Sequence, residues 1–226
     1  MWREGREYAI TVQCDIVEGL QGATVTQQLM PELLKLQASW AQNSIANYRV
    51  EVAGAVEESS KGSSSISAGM PLMLFITFTL LMLQLHSFSR TVLVFLTGPL
   101  GIAGVAFALL VLNRPFGFVA LLGVIALMGM IQRNSVILID QIERDREAGV
   151  PTWKAIVESA VRRLRPIVLT AAAAVLAMIP LTRSVFWGPM AVAIMGGLIV
   201  ATVLTLLALP AIYAAWFKVE VPKQGA

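Results

Sequence analysis

Four consecutive polar residues, Gln132-Arg133-Asn134-Ser135, stand inside a long apolar stretch of the sequence. An ionisable side chain in a bilayer is costly, and such residues mark ion or substrate paths. The competing reading is that Arg133 snorkels: Asp140 marks the end of the apolar segment and lies seven residues on, about 10 Å at the helical rise. Yet Gly117 to Ile131 is too short to cross a hydrocarbon core that needs about twenty residues, so the polar block and Val136-Ile137-Leu138-Ile139 must also be embedded. Four adjacent side chains point around most of a helix, so some of them face protein or a wet cavity rather than lipid. Arg133 is therefore the leading candidate for a functional residue. Elsewhere chemistry is sparse. His86 is the only histidine and builds no metal site alone, and Cys14 is the only cysteine, so no disulfide forms within the chain.

The elements that must position Arg133 are apolar. Of 226 residues, 57% are hydrophobic and 14% charged, which fits a mainly α-helical integral membrane protein and not an ordinary soluble domain. Residues 1–66 carry five Lys/Arg against eight Asp/Glu, and the remainder twelve against six, so an acidic head precedes a basic membrane body. The opening Met1-Trp2-Arg3-Glu4-Gly5-Arg6-Glu7 is too polar for a secretory signal core.

In the head, residues 1–67, Tyr8, Ile10, Val12, Cys14 and Ile16 alternate with polar or small residues as in a strand with one buried face. Thr24 to Ala41 favours a helix, with Pro31 as a disturbance, and Tyr48-Arg49-Val50-Glu51-Val52 alternates again. The expectation is one β-α-β unit, joined to the body by the Gly- and Ser-rich stretch from Lys61 to Ser67. Such a unit buries too little apolar surface to fold securely alone, so it is expected to complete a sheet supplied by another segment or chain.

Residues 68–226 divide into five apolar segments: Ala68 to Leu85, Thr91 to Leu112, Gly117 to Ile139, Ile167 to Leu181 and Phe186 to Phe217. The connection from Asp140 to Pro166 holds Arg144, Arg146, Lys154, Arg162, Arg163 and Arg165, whereas Arg114 and Arg183 stand alone in theirs. By the positive-inside bias the former is cytoplasmic, which puts the head outside and the C-terminus inside. Within that connection Trp153, Ile156, Val157, Ala160, Val161 and Leu164 recur at helical spacing, so residues 151–164 read as an amphipathic helix on the inner membrane surface. Pro99, Pro180 and Pro210 allow bends, and Gly98, Gly101 and Gly104 allow close helix approach.

The string Gly129-Met130-Ile131-Gln132-Arg133-Asn134-Ser135-Val136-Ile137-Leu138-Ile139-Asp140 resembles one region of the resistance-nodulation-division (RND) efflux permeases, in their hydrophobe/amphiphile multidrug branch. A second string, Arg163-Leu164-Arg165-Pro166-Ile167-Val168-Leu169-Thr170, preceded by Glu158-Ser159-Ala160 and followed by Ile179-Pro180-Leu181, is similar to the penultimate span of that family. Glu57-Glu58-Ser59, Pro99-Leu100-Gly101 and Pro115-Phe116-Gly117 also look like family landmarks. The resemblance implies the C-terminal part of a trimeric inner-membrane proton antiporter, comprising the end of a periplasmic porter region and the last five of twelve spans. It implies partners too: membrane lipid, the N-terminal half or other permease subunits, a periplasmic adaptor and an outer-membrane channel.

By the same resemblance Arg133 stands at a basic site, often lysine, that faces an acidic pair from an earlier span. Asn134 accompanies it, Thr170 faces the cluster, and Arg163 matches a basic residue at the start of the penultimate span. No acidic pair lies within a span of this sequence. Arginine stays protonated at any accessible pH, so Arg133 would hold carboxylates and depress their proton affinity without carrying the proton itself. The residues alone leave simpler readings open: a Thr170 hydroxyl bonded to its own helix, and Arg163 as an anchor at the inner interface.

The main expectation is therefore part of a proton-driven exporter of amphiphilic compounds or drugs, inactive without its other half. Alternatives are a non-transporting subunit that associates with an intact pump, and an RND exporter of another substrate class. An intramembrane enzyme is disfavoured, since no nucleophile elbow, His pair or acidic dyad lies in a span. Nor is there a phosphate loop or metal-ligand spacing, and no cofactor or nucleic acid is expected.

Overall fold

The computed structural model describes residues 2–4, 7–17, 20–42 and 49–219, the side chains of residues 2–4 and 7 excepted. The chain divides into two units, residues 1–58 and 59–226. In the first, β1 (Trp2–Glu4) and β2 (Glu7–Ala9) form an antiparallel hairpin in the register Trp2↔Ala9, Arg3↔Tyr8, Glu4↔Glu7. Helix α1 (Gly22–Gln42) follows and accommodates Pro31 in its interior.

Among the described residues the expected β-α-β unit is not formed. The first strand stops at Ala9, and residues 10–17 are exposed and without regular structure, Ile10 at 95% and Val12 at 90%. Of the expected second strand, Tyr48 lies outside the described residues and 49–52 are not a strand. The physical reason is the lack of partners: an alternating segment with neither a neighbouring strand nor a covering layer has nothing to hold it in a sheet. The helical third of the expectation, from Thr24 to Ala41, is present as α1.

The second unit is helical. It comprises α2 (Ala55–Leu85, which begins before the boundary), α3 (Phe88–Thr97), α4 (Leu100–Val111), α5 (Phe118–Glu147), α6 (Thr152–Met178), a 3-10 turn (Pro180–Arg183) and α7 (Gly188–Trp216). Among the described residues, five helical segments are long and apolar enough to cross a membrane: α2, α3 with α4, α5, α6 with its 3-10 turn, and α7. The break between α3 and α4 falls at Gly98-Pro99, where proline removes a helical donor. Asn113 ends the following helix in the left-handed region at φ 48, and the Arg114 amide reaches back to the Leu109 carbonyl at 2.9 Å.

Two boundaries differ from expectation. The Gly- and Ser-rich stretch from Lys61 to Ser67 is not a loop but part of α2, because Ser64 and Ser67 donate their hydroxyls to the carbonyls of Lys61 and Ser64, each at 2.8 Å. Serines satisfied in this way do not compete with the helix for partners. The stretch 151–164 is likewise no separate helix, since α6 runs through Pro166 without interruption. Its buried residues, among them Ile156, Ser159, Ile167 and Ala171, lie on both sides of Pro166, whereas Val157, Val161 and Leu164 are exposed.

Helices α4, α5 and α7 form the centre. About half of the most apolar window is buried in α5 and in α7, against 6% in α2 and in α6, which are therefore peripheral. Small residues set the central contact. A side chain on Gly104 would meet the Val200 Cβ at 2.6 Å and the Gly196 carbonyl at 2.8 Å, so α4 and α7 touch backbone to backbone. The core lies in two clusters. One, around Val105, Leu127 and Leu198, surrounds this contact, and the other, around Val94, Ile139, Leu209 and Tyr213, lies toward the end where α5 and α7 finish and α3 begins.

Candidate functional site: a mid-helix arginine and a charged helix end

Arg133 occupies the middle of α5, fifteen residues after Phe118 and fourteen before Glu147, about 22 Å from either end. The polar block divides by helical geometry. Gln132 and Ser135 are buried, Asn134 is half-buried, and Arg133 is exposed. Ser135 meets Thr97 of α3 at 2.9 Å, and Thr97 passes its own hydrogen to the Val94 carbonyl at 2.6 Å, so this buried pair is fully satisfied. Arg133 makes no hydrogen bond or ion pair with a described residue. It lines a pocket of about 260 Å³ with Leu81 and Gln84 of α2 and Gly129, Gln132, Val136 and Ile137 of α5. Along α5, Arg133, Ile137, Asp140 and Arg144 fall on one line at spacings of four, three and four, and all four are exposed or half-exposed.

The other residues singled out from the sequence are not joined to Arg133. Thr170 is exposed and donates its hydroxyl to the Ile167 carbonyl of its own helix at 2.9 Å. Arg163 is half-buried and donates to Gln141 Oε1 at 3.1 Å. Among the described residues no hydrogen bond or ion pair connects Arg133, Asn134, Thr170 and Arg163 with one another.

A second polar centre, not anticipated from the sequence, lies where α5 and α7 end and α3 and α6 begin. Residues 141, 143 and 145 of α5 supply its acceptors. Positions two apart on a helix point to opposite sides and positions four apart to the same side, so Gln141 and Asp145 address α6 while Glu143 addresses α3 and α7. The Glu143 carboxylate is 13% exposed and accepts from Arg90 at 2.7 Å and from Arg146 at 3.1 and 3.2 Å. The buried Tyr213 hydroxyl donates to the same carboxylate and accepts from Arg146 at 3.1 Å. On the opposite side Asp145 accepts from Ser159 and Arg162, each at 2.6 Å, and from Gln141 at 3.0 Å. Arg146 and Arg162, which read in the sequence as loop charges, are thus members of helix-to-helix networks. The sequence signal for Arg146 is its three-residue spacing from Glu143, whereas Arg90 and Tyr213 are 53 and 70 positions away from Glu143 and Arg162 is 17 from Asp145.

No group of three or more His, Cys, Asp or Glu side chains able to hold a metal ion occurs among the described residues. The chemistry on offer is charge placement: a cation without a described partner in the middle of α5, and a set of hydrogen-bonded charges at one end.

Comparisons with known proteins give the family. The family model described as AcrB/AcrD/AcrF matches residues 3–216. The nickel-cobalt-cadmium resistance protein NccA of Alcaligenes xylosoxydans xylosoxydans is 33% identical over 168 residues, 72% of this chain and 16% of that protein. The multidrug resistance protein MdtC of Erwinia tasmaniensis is 28% identical over 210 residues, 87% of this chain and 20% of that protein. A crystal structure of a heavy metal efflux pump superposes with a TM-score of 0.65 at 27% identity, over 84% of this chain and 19% of that one. The chain thus spans about a sixth to a fifth of the length of these relatives. With a family model running from the hairpin to the end of α7, and the same helices recurring in a solved efflux pump, the chain belongs to the AcrB/AcrD/AcrF family of RND permeases and is a multi-pass inner-membrane protein.

Proposed function

We propose that this chain is the C-terminal part of a proton-driven efflux permease, in which Arg133 is the basic member of an intramembrane charge cluster whose carboxylates come from a segment outside it. The observation that carries this reading is the exposed, unpartnered guanidinium at the midpoint of a membrane-spanning helix. A charge at that depth costs about 2.5–3.5 kcal/mol on the insertion scale, so it calls for a counter-charge. A carboxylate seated beside a permanent cation has its proton affinity lowered, which suits it to take a proton from one side and yield it to the other. In this reading Asn134 flanks the cluster, and Thr170 and Arg163 lie on the neighbouring helix α6.

The head is then periplasmic and completes a porter sheet with another segment, to which the exposed Ile10 and Val12 are suited. The C-terminus is cytoplasmic, and the full protein is a trimer working with a periplasmic adaptor and an outer-membrane channel. Its substrates are amphiphilic compounds. A second reading, export of divalent metal cations, is favoured by the similarity to NccA and to the heavy metal efflux pump.

The test is survival of an efflux-deficient Gram-negative strain carrying the full-length parent, challenged with detergents and dyes and, separately, with nickel, cobalt, cadmium and zinc. The wild type is expected to protect against the first class, and Arg133→Ala to fall to the empty-vector level at unchanged membrane abundance. Protection against metals alone would select the second reading. Protection by Arg133→Ala equal to wild type would refute the role of Arg133 in either.

A further inference from the structure

Gln141 occupies an unusual position between two charges. A guanidinium only donates and an ionised carboxylate only accepts, so a glutamine bridging them has a single satisfying orientation. Its Nε2 donates to Asp145 Oδ1 at 3.0 Å, and its Oε1 accepts from Arg163 Nη2 at 3.1 Å. Asp145 is itself fixed: it is 9% exposed, one turn along α5, and takes its other hydrogen bonds from Ser159 and Arg162 of α6. The negative charge of Asp145 is paired with Arg162 at 2.6 Å. Arg163 therefore receives an oriented but neutral acceptor, and no described carboxylate forms an ion pair with it.

We infer that Gln141 and Asp145 are positioning residues for Arg163, which they hold in place without neutralising it. This rests on the proposed proton-coupling cluster, to which Arg163 already belongs, and adds the residues that hold it. Gln141 follows Arg133 by eight residues on the same helix, about 12 Å along the axis. At that range in a poorly screened interior an unpaired cation still lowers the proton affinity of carboxylates beside Arg133. A carboxylate at position 141 would pair with Arg163 and cancel that influence. An apolar side chain there would leave the charge in place but unheld.

The experiment uses the full-length protein in liposomes and measures substrate-driven proton flux against pH for wild type, Gln141→Glu, Gln141→Leu, Arg163→Ala and Gln141→Glu combined with Arg163→Ala. Gln141→Glu and Arg163→Ala are each expected to move the midpoint of the profile to higher pH by about half to one unit. The double variant, which loses the cation and leaves the added carboxylate without its partner, should move at least as far as either. Gln141→Leu is expected to lower turnover several-fold at an unchanged midpoint, a result that stands even if the charged variant misassembles. If Gln141→Glu and Gln141→Leu both behave as wild type while the wild type moves protons, the positioning role is overturned alone. If Arg163→Ala has the wild-type profile, Arg163 has no such influence and the inference fails. A wild type that moves no protons would overturn the proton-coupled reading and this inference with it.

Discussion

Ser135 shows how local chemistry separates structural from functional members of one polar block. Its partner Thr97 already donates to the Val94 carbonyl, so removing the Ser135 hydroxyl strands no donor. Ser135→Ala is expected to cost less than about 1 kcal/mol in unfolding of the full-length protein in detergent. Glu143 is the contrasting case: it compensates Arg90 and Arg146 and receives the Tyr213 hydroxyl, and the Arg90 Nε is already buried without a hydrogen-bond partner. Glu143→Gln leaves two cations short of a counter-charge and is expected to lower stability by about 2–4 kcal/mol in the same assay. Equal stability of these two variants would contradict this assignment. Arg133 was legible in the sequence because a charge inside an apolar run stands out wherever the run folds. Glu143 was not, because its importance comes from Arg90 and Tyr213, which only the packing of α3 and α7 against α5 brings to it.

Helix contacts were legible to the extent that composition reports them. Gly101 and Gly104 predicted close approach, and Gly104 lies against the backbone of Gly196 and Gly197 in α7. Gly104→Val is expected to force α4 and α7 apart at a cost of about 1–3 kcal/mol. Gly69→Ala in α2, where an added Cβ meets nothing within 4 Å, is expected to stay within about 0.5 kcal/mol of wild type. Thermal unfolding of both variants in detergent checks the contrast, which fails if they shift equally. Composition misled at Lys61 to Ser67, where glycine and serine suggest a loop but the serine hydroxyls are satisfied inside α2. It misled also at residues 151–164, where an amphipathic pattern suggested a separate helix but α6 runs on through Pro166, with buried residues on both sides of it. In the head, alternation alone marked a strand, yet a strand exists only with a partner, and the described residues offer Ile10 and Val12 none.

On the scale of the whole molecule, α2, α3, α5, α6 and α7 bring charged or capping ends together on one side, which the proposed orientation, from the positive-inside bias, makes cytoplasmic. Under the proposal that the head is periplasmic, the exposed Cys14 is expected to be accessible from outside. With Cys14 as the sole cysteine of the full-length protein, a membrane-impermeant maleimide is expected to label it in intact spheroplasts; labelling only after lysis would reverse the orientation. The central claim is that Arg133 supplies a positive charge to proton coupling. Its most direct test is the proton flux that accompanies substrate export in liposomes holding wild type, Arg133→Lys or Arg133→Ala at matched incorporation. The account predicts flux for wild type and Arg133→Lys and a fall to the protein-free background for Arg133→Ala, whereas wild-type flux from Arg133→Ala would contradict it.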